Sequence, residues 1–237
     1  MAQSVGNAKN ILVGASPLFL TVEDSTIDGY LENLEPGVSK SFVASKNRYV
    51  PAFSSSKSYT ETLNSYETTT GLTQSSDGAA YRNVGYTNNG LQITYNPTYD
   101  SVTVDQLLDT AKLFKSAMEV MIATEMSEGT LENVLLVFGQ KASTLSGSTL
   151  GLEAGALGAA PTERQLIAVG QAPTTSSPNT ERVYYARRVL SVQQSQFSLA
   201  RNTPTTFPVT FRLLPSGESA YAGSEYGKII DRTWTPA

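Results

Sequence analysis

The residue types that carry most enzyme chemistry are missing from this chain, which has neither histidine nor cysteine among its 237 residues. It therefore lacks the commonest general base, the thiolate nucleophile and the commonest transition-metal ligands. Neither a Ser-His-Asp nor a Cys-His arrangement can be assembled from it. Ser-Lys, Thr and paired-carboxylate chemistry are the options that remain. We predict that the protein is not an enzyme and that it uses no cofactor and no metal ion.

Acidic residues are the remaining source of chemistry, and they are concentrated between residues 100 and 128. A general acid and base must converge on one cleft, and this spacing does not indicate that they do. Residues 24–28 contain two aspartates but lack the spacing and the terminal Glu of an EF-hand. Residues 151–158 are glycine-rich, yet no strand, helix or lysine is placed as in a phosphate loop. Ordinary surface segments explain all three regions better.

The composition limits the classes of partner. The net charge of −4 and the pI of about 5.0 repel phosphate, which disfavours specific nucleic-acid binding. No apolar run approaches the roughly 20 residues that span a bilayer, so we expect no membrane partner. The first ten residues lack the pattern of a signal peptide, and we expect folding in a cytoplasm.

Alternating apolar and polar residues predict eight or more strands. We expect residues 91, 93 and 95 to form a half-buried strand that follows a tight turn at 88–90 and ends at Pro97. An irregularity is expected at Arg187 and Arg188. The other predicted strands are residues 18–22, 102–104, 117–125, 165–169, 183–192, 209–213 and 227–230.

One helix is predicted over residues 130–138, with Thr130 as its N-cap and Gly139 as its stop. Its apolar stripe has the spacing i, i+3, i+4 and i+7. The predicted core residues of the helix are Leu131, Val134, Leu135 and Phe138. Residues 106–114 are either a second short helix or an irregular loop. These elements predict a mainly β fold: a β-sandwich or barrel of mostly antiparallel strands with one flanking α-helix, in a single domain over residues 1–237.

Long polar stretches separate the patterned runs. We expect a flexible arm over residues 1–9, a long loop over 41–80 and a variable, low-charge loop region over 141–181. Thirteen of the 27 residues at 54–80 are Ser or Thr, which favours a disordered loop, whereas the tyrosines favour a β-hairpin that orders against a neighbouring subunit. Both interpretations stay open.

Several motifs follow one another in the middle and last quarters of the chain. They are a strand at 85–95, V-x-V-D-Q at 102–106, a strand at 118–124, E-x-T-L-E-N at 128–133 followed by Val134, F-x-L-L-P at 211–215 and Y-G-K-I-I at 226–230. In this order they resemble the major tail tube protein of long-tailed bacteriophages, in which the helix motif continues with Leu where this chain has Val134.

The resemblance implies a structural virion protein whose subunits close into rings, hexameric in this family, and stack into a hollow tube. DNA passes through that tube without specific binding. The implied partners are further copies of the chain, a tape-measure protein and tail-tip or terminator proteins. The implied location is the virion tail, with assembly in the host cytoplasm.

We expect aromatic and arginine side chains to make the contacts between subunits, and acidic side chains to face the lumen or the ring. The candidate inter-subunit residues are Tyr49, Phe53, Tyr59, Tyr66, Arg187, Arg188 and Trp234. The candidate lumen-facing residues are Asp105, Asp109, Glu119 and Glu125. Two alternatives remain: another virion component, such as a tail terminator or a capsid decoration protein, and a carbohydrate-binding β-sandwich module with tyrosine-rich loops.

Overall fold

The computed structural model describes most of the chain from Ala80 onward and short strands before it. The described residues are 18–21, 39–40, 42–43, 48–49, 59–63, 70–74, 80–103, 109–141, 144–154, 157, 161–173, 180–192, 196–199, 201–217 and 219–234. In these residues the fold is mainly β and β-sandwich-like, with antiparallel sheets and one α-helix, as the strand patterns predict. The predicted arm at 1–9 lies outside the described residues.

Eleven of the described strands form one sheet, in the order β5-β6-β7-β1-β12-β13-β14-β9-β8, with β15 and β2 attached through β13. The early strands are β1 (Leu18–Thr21), β2 (Ser39–Lys40), β3 (Phe42–Val43), β4 (Arg48–Tyr49), β5 (Tyr59–Leu63), β6 (Thr70–Gln74) and β7 (Ala80–Asn83). The later strands are β8 (Thr87–Thr103), β9 (Thr110–Met126), β10 (Leu145–Ser146), β11 (Thr149–Leu150), β12 (Arg164–Gln171), β13 (Thr180–Ser191), β14 (Phe207–Leu213) and β15 (Gly227–Trp234). The β15–β2 pair is parallel.

The sheet divides at β13. One edge of β13 pairs with β12, whereas its other edge pairs first with β15 and then, at residues 189–191, with β14. The register against β12 shifts between Arg164 and Leu166, which places an extra residue at Arg187 and Arg188. This bulge confirms the irregularity predicted there, and it lies where β13 exchanges one partner for the other.

The core lies between the divided parts of the sheet and the helix. Both faces of β12 are buried over residues 164–168, because other elements cover it on each side. The buried apolar cluster includes Leu18, Leu20, Val84, Val120, Ile122, Met126, Leu135, Leu136, Val137, Leu166, Val189, Val209 and Phe211. Three strands fall within the predicted loop region at 141–181: β12 contains the strand predicted at 165–169, whereas β10 and β11 were not predicted.

The helix, α1 (Leu131–Val137), begins and ends where the sequence predicts. The Thr130 hydroxyl accepts a hydrogen bond from the Asn133 backbone N–H (3.3 Å), and Gly139 follows with a φ of 62°. The buried face differs from the predicted stripe. Leu135 is buried and Val134 packs against the core, but Leu136 and Val137 are also buried. Leu131 is half-buried and Phe138 is exposed, because the short helix contacts β14 on one side and the β10–β11 hairpin on another.

Strand β8 differs most from its prediction. Pro97 does not end it, since pairing with β9 continues to Thr103. Residues 93 and 95 are exposed rather than half-buried, because the described body covers little of this face of β8. Pro97 is accommodated because β8 is an edge strand of the described sheet. The predicted turn at residues 88–90 lies inside the strand. Asn89 and Gly90 have positive φ there, and the register shifts between Asn88 and Gln92.

Two other ambiguous segments are strands. Residues 110–114, predicted to be a helix or a loop, form the start of β9, because cross-strand pairing with β8 decides their conformation. The described part of the serine- and threonine-rich stretch forms the antiparallel β5–β6 hairpin, which continues the sheet through β7. Residues 59–63 and 70–74 are thus paired strands within the chain, whereas their ordering against a neighbouring subunit stays a prediction.

Candidate assembly interface

Strands β8 and β9 form a two-stranded ribbon that extends past the body of the protein. Only residues 121–126 of β9 pair with β14. Farther along, residues 109–117 are exposed without interruption. At roughly 3.3 Å per residue, residues 110–117 alone extend about 26 Å. The ribbon is therefore an arm that contacts little else in the described part of the chain.

The register of the ribbon assigns each side chain to one of two faces, because directly opposite residues share a face and successive residues alternate. Ile93 lies opposite the buried Ile122, and Tyr95 lies opposite the buried Val120. The same face continues outward with Tyr99, opposite Lys115, and with Leu113, opposite Ser101. The shift after Thr98 adds a residue to β9 only, so the alternation along β8 is uninterrupted.

The core-facing side of the sheet thus continues beyond the body as an uncovered row of large side chains, which we call the apolar stripe. Its members are between 44% and 61% exposed. The stripe consists of Ile93, Tyr95, Tyr99 and Leu113. The opposite face of the ribbon is mostly polar along β8, but it carries Val102 and, on β9 opposite Asp100, Phe114, which are 42% and 45% exposed. A lone two-stranded ribbon is marginally stable in water, and an exposed apolar patch of a few hundred Å² is often functional.

Lys115 adds to the stripe rather than interrupting it. Its ammonium group lies 5.7 Å from the centre of the Tyr95 ring and 2.7 Å from the Met118 sulfur. The aliphatic part of such a side chain covers apolar surface while the charge reaches the rim. The ammonium group of Lys115 therefore lies at the edge of the apolar stripe.

A buried group of polar contacts fixes the base of the ribbon. The Asn133 amide, which is 0% exposed, donates to the carbonyl oxygens of Val84 and Glu128, each at 2.8 Å. The Tyr86 N–H donates to the Glu128 carboxylate (3.0 Å), and the Ser127 N–H donates to the Tyr86 carbonyl (2.9 Å). These contacts join the residues before β8 to those after β9, so the direction of the ribbon is set by the body.

Arg187 is buried within this subunit, and its inter-subunit role stays a prediction. Its side chain is 2% exposed, stacks 3.6 Å from the Tyr221 ring centre, and donates to the Ser224 carbonyl (3.2 Å). The bulge in β13 turns it inward. Arg188 forms a bidentate pair with Glu163, at 2.6 and 2.7 Å. Its inter-subunit contact also stays a prediction.

The predicted acidic residues do not converge. Asp109 is exposed beside the far end of the ribbon. Glu119 and Glu125 lie on the face of β9 opposite the apolar stripe, where Glu119 is 3.6 Å from Arg212. Asp105 lies outside the described residues. Whether any of them faces a lumen stays a prediction.

The predicted aromatic contacts fall at the margin of the described structure. Tyr49 ends β4, Tyr59 begins β5 and Trp234 ends β15 beside Lys40 of β2. Only the backbone of these three is described. Phe53 and Tyr66 lie outside the described residues. The proposed contacts of these five residues stay predictions.

The sequence reasoning missed Tyr99 and Leu113. A signal was present, because positions 91, 93, 95 and 99 are all apolar or aromatic and only Pro97 separates the last two. Because Pro97 was predicted to end the strand, the continuation of this face to Tyr99 was not predicted. Within the described residues no group of three or more acidic side chains is placed to hold a metal ion, and no helix is long and apolar enough to cross a membrane.

The sequence matches no protein-family model and no curated protein.

Proposed function

We propose that this chain is a structural subunit that assembles with copies of itself into stacked rings, forming the hollow tail tube of a long-tailed bacteriophage. The observation that carries the proposal is the apolar stripe on a ribbon that leaves the body of the subunit. Burying apolar surface drives association, and an arm that a monomer leaves uncovered is suited to a neighbouring subunit. The activity is assembly, not turnover.

The motif resemblance supports the same proposal. The E-x-T-L-E-N motif contains Glu128 and Asn133, the two residues that fix the base of the ribbon. Residues that hold an arm at a set angle are needed when many copies must dock with the same geometry. The motif thus has a physical role that suits a repeating assembly.

The charge of the chain supports a DNA-conducting tube. With a net charge of −4, a tube built from many copies repels a passing phosphate backbone, so DNA slides without adhering. Glu119, Glu125 and Asp109 remain candidates for the surface that faces the lumen.

The experiment is electron microscopy of the purified chain at rising concentration, with sedimentation velocity on the same samples. Rings and tubes of uniform diameter are the expected result. Single rings that never stack favour a tail terminator, and binding only to preformed shells favours a decoration protein. A monomer that persists at millimolar concentration and binds oligosaccharides in a thermal-shift panel overturns the proposal in favour of a carbohydrate-binding module.

A further inference from the structure

A second exposed apolar surface lies at the C-terminal end of α1, and its residues are separate in sequence from those of the ribbon. The Phe138 ring is 6.2 Å from Phe197, which in turn is 4.7 Å from Phe207. The Ser191 hydroxyl donates to the Val137 carbonyl (3.1 Å), which brings Val192 to the same helix end. Three side chains here are 39% to 85% exposed. The helix-end patch is defined as Phe138 and Phe197 together with two residues that lie near this group along the chain: Val192, next to Ser191, and Leu199, two residues after Phe197.

We propose that the apolar stripe of one copy docks, by its face, on the helix-end patch of a second copy. This inference rests on the proposed self-assembly and specifies which two surfaces meet. Two unlike surfaces on one chain produce a heterologous contact, which repeats into a ring or a filament. Contact between two identical stripes would instead close as a dimer and stop.

The edge of β8 is poorly suited to adding a strand from another subunit. Pro97 has no N–H to donate to a new strand. The register shift between Asn88 and Gln92 also adds residues to β8 itself and interrupts its edge there. Prolines and bulges are the devices by which natural sheets prevent edge pairing. The face of the same strand carries an unbroken apolar row, so the face is the surface suited to docking.

The area of the stripe agrees with a stable contact. Taking roughly 200 Å² for each large side chain, the exposed parts of the four stripe residues amount to about 400 Å². An interface of standard size buries roughly 800 Å² on each partner, of which a little over half, about 450 Å², is apolar. The stripe supplies nearly all the apolar area that one side needs. Phe138 and Phe197 provide rings against which Tyr95 and Tyr99 can pack edge to face.

The absence of cysteine makes this geometry directly testable, because any introduced thiol is the only one present. We would make Tyr99→Cys and Leu199→Cys, mix the two single variants under assembly conditions, and add a short bis-maleimide. The expected product is a covalent dimer that contains one copy of each variant. A chain carrying both substitutions should give a ladder of multimers, since each copy then has two reactive surfaces.

The matched control is Val102→Cys, which lies on the opposite face of the same strand and is similarly exposed. Mixed with Leu199→Cys, it should give at most a tenth of the dimer. Equal yields from both mixtures, or efficient cross-linking of Tyr99→Cys with itself, would overturn the inference. If rings form in the microscope without the expected cross-link, this inference fails while the proposed function survives. If no particles form at any concentration, the proposed function fails as well.

Discussion

Asn133 lies 2.8 Å from the carbonyl oxygen of Val84, a residue 49 positions earlier in the chain. The same amide nitrogen reaches the carbonyl oxygen of Glu128. Because the amide is fully buried, water cannot replace either hydrogen bond. One side chain thus joins the start of β8, the end of β9 and the helix, and it fixes the ribbon to the body.

Replacing Asn133 with leucine should therefore destabilise the monomer strongly. Two buried carbonyl groups lose their donor, and leaving a buried acceptor unsatisfied costs about 1–3 kcal/mol each. We expect the free energy of unfolding to fall by about 2–4 kcal/mol in urea denaturation of dilute protein. Asn202→Leu, at an exposed position, is the control and should change it by less than about 0.5 kcal/mol. Equal stability of the two variants would contradict the assigned role of Asn133.

The parts of the fold that follow from local chemistry were predictable. Thr130 and Gly139 bound the helix as their cap and stop chemistry requires, and the alternation at Val209, Phe211 and Leu213 gives a strand with one buried face. The predicted bulge at Arg187 and Arg188 is also present. In each case the signal lies within a few residues, so neighbouring sequence decides the structure.

The candidate interface depends on relationships that local sequence does not contain. Ile93 and Tyr95 alternate like half-buried residues, but whether a second layer covers them depends on how far the body extends. Arg187 looks like an edge charge until the bulge places Tyr221, 34 positions later, over its guanidinium. The burial of each side chain depends on residues that are distant in the sequence, and the pattern within the strand does not indicate which residues these are.

Removing the outer part of the ribbon, residues 99–116, should abolish assembly but leave the monomer folded. Thr98 and Ala117 are direct cross-strand partners, so replacing residues 99–116 with Asn-Gly should close a two-residue hairpin. The removed strand segments are exposed, so we expect the stability of the monomer to change by less than about 1 kcal/mol. Electron microscopy should show no rings or tubes. Tubes of normal diameter from this variant would exclude the ribbon as the assembly arm.

Gly227 should tolerate no side chain. Its φ is 145°, and an added Cβ would overlap the backbone carbonyl of Tyr185, which cannot move without breaking the β13–β15 pairing. Gly227→Ala should lower the free energy of unfolding by about 2 kcal/mol or more. A variant that shows no cooperative thermal transition would also agree with this prediction. Gly217→Ala is the matched control, because nothing lies within 4 Å of its added Cβ. Comparable melting temperatures for the two variants would show that the β13–β15 contact is looser than described.

The Arg182–Asp231 pair predicts a small, pH-dependent contribution to stability. Their side chains are 2.6 and 2.7 Å apart across β13 and β15. The hydrogen bond from Arg182 holds the pKa of Asp231 below its usual range, and charge attraction adds to this, while partial burial opposes it. A depressed carboxyl pKa stabilises the fold above the unfolded-state pKa of about 3.9 and ceases to do so as the pH falls through the folded-state value.

Asp231→Asn should therefore be less stable than the parent at pH 7, by less than about 1 kcal/mol because the pair is partly exposed to solvent. The difference should shrink as the pH falls below about 4, where the parent carboxylate becomes protonated. Asp100→Asn, on the exposed ribbon, is the control and should change the free energy of unfolding at pH 7 by less than about 0.5 kcal/mol. Urea denaturation across this pH range measures both, and a difference that grows toward low pH would reverse the assigned sign.

Assembly should persist, or strengthen, as salt is added. At about 1 M salt the Debye length falls to roughly 3 Å, which screens contacts between exposed charges. The stripe and the helix-end patch are apolar, and burial of apolar surface does not depend on such charges. Sedimentation velocity between about 0.1 M and about 1 M sodium chloride should show an association constant that is constant or rises.

Tyr99→Ser should weaken association about equally at both salt concentrations. A tenfold loss of association for the parent at high salt would mean that charged residues such as Lys115 and Glu119, rather than the stripe, hold the subunits together.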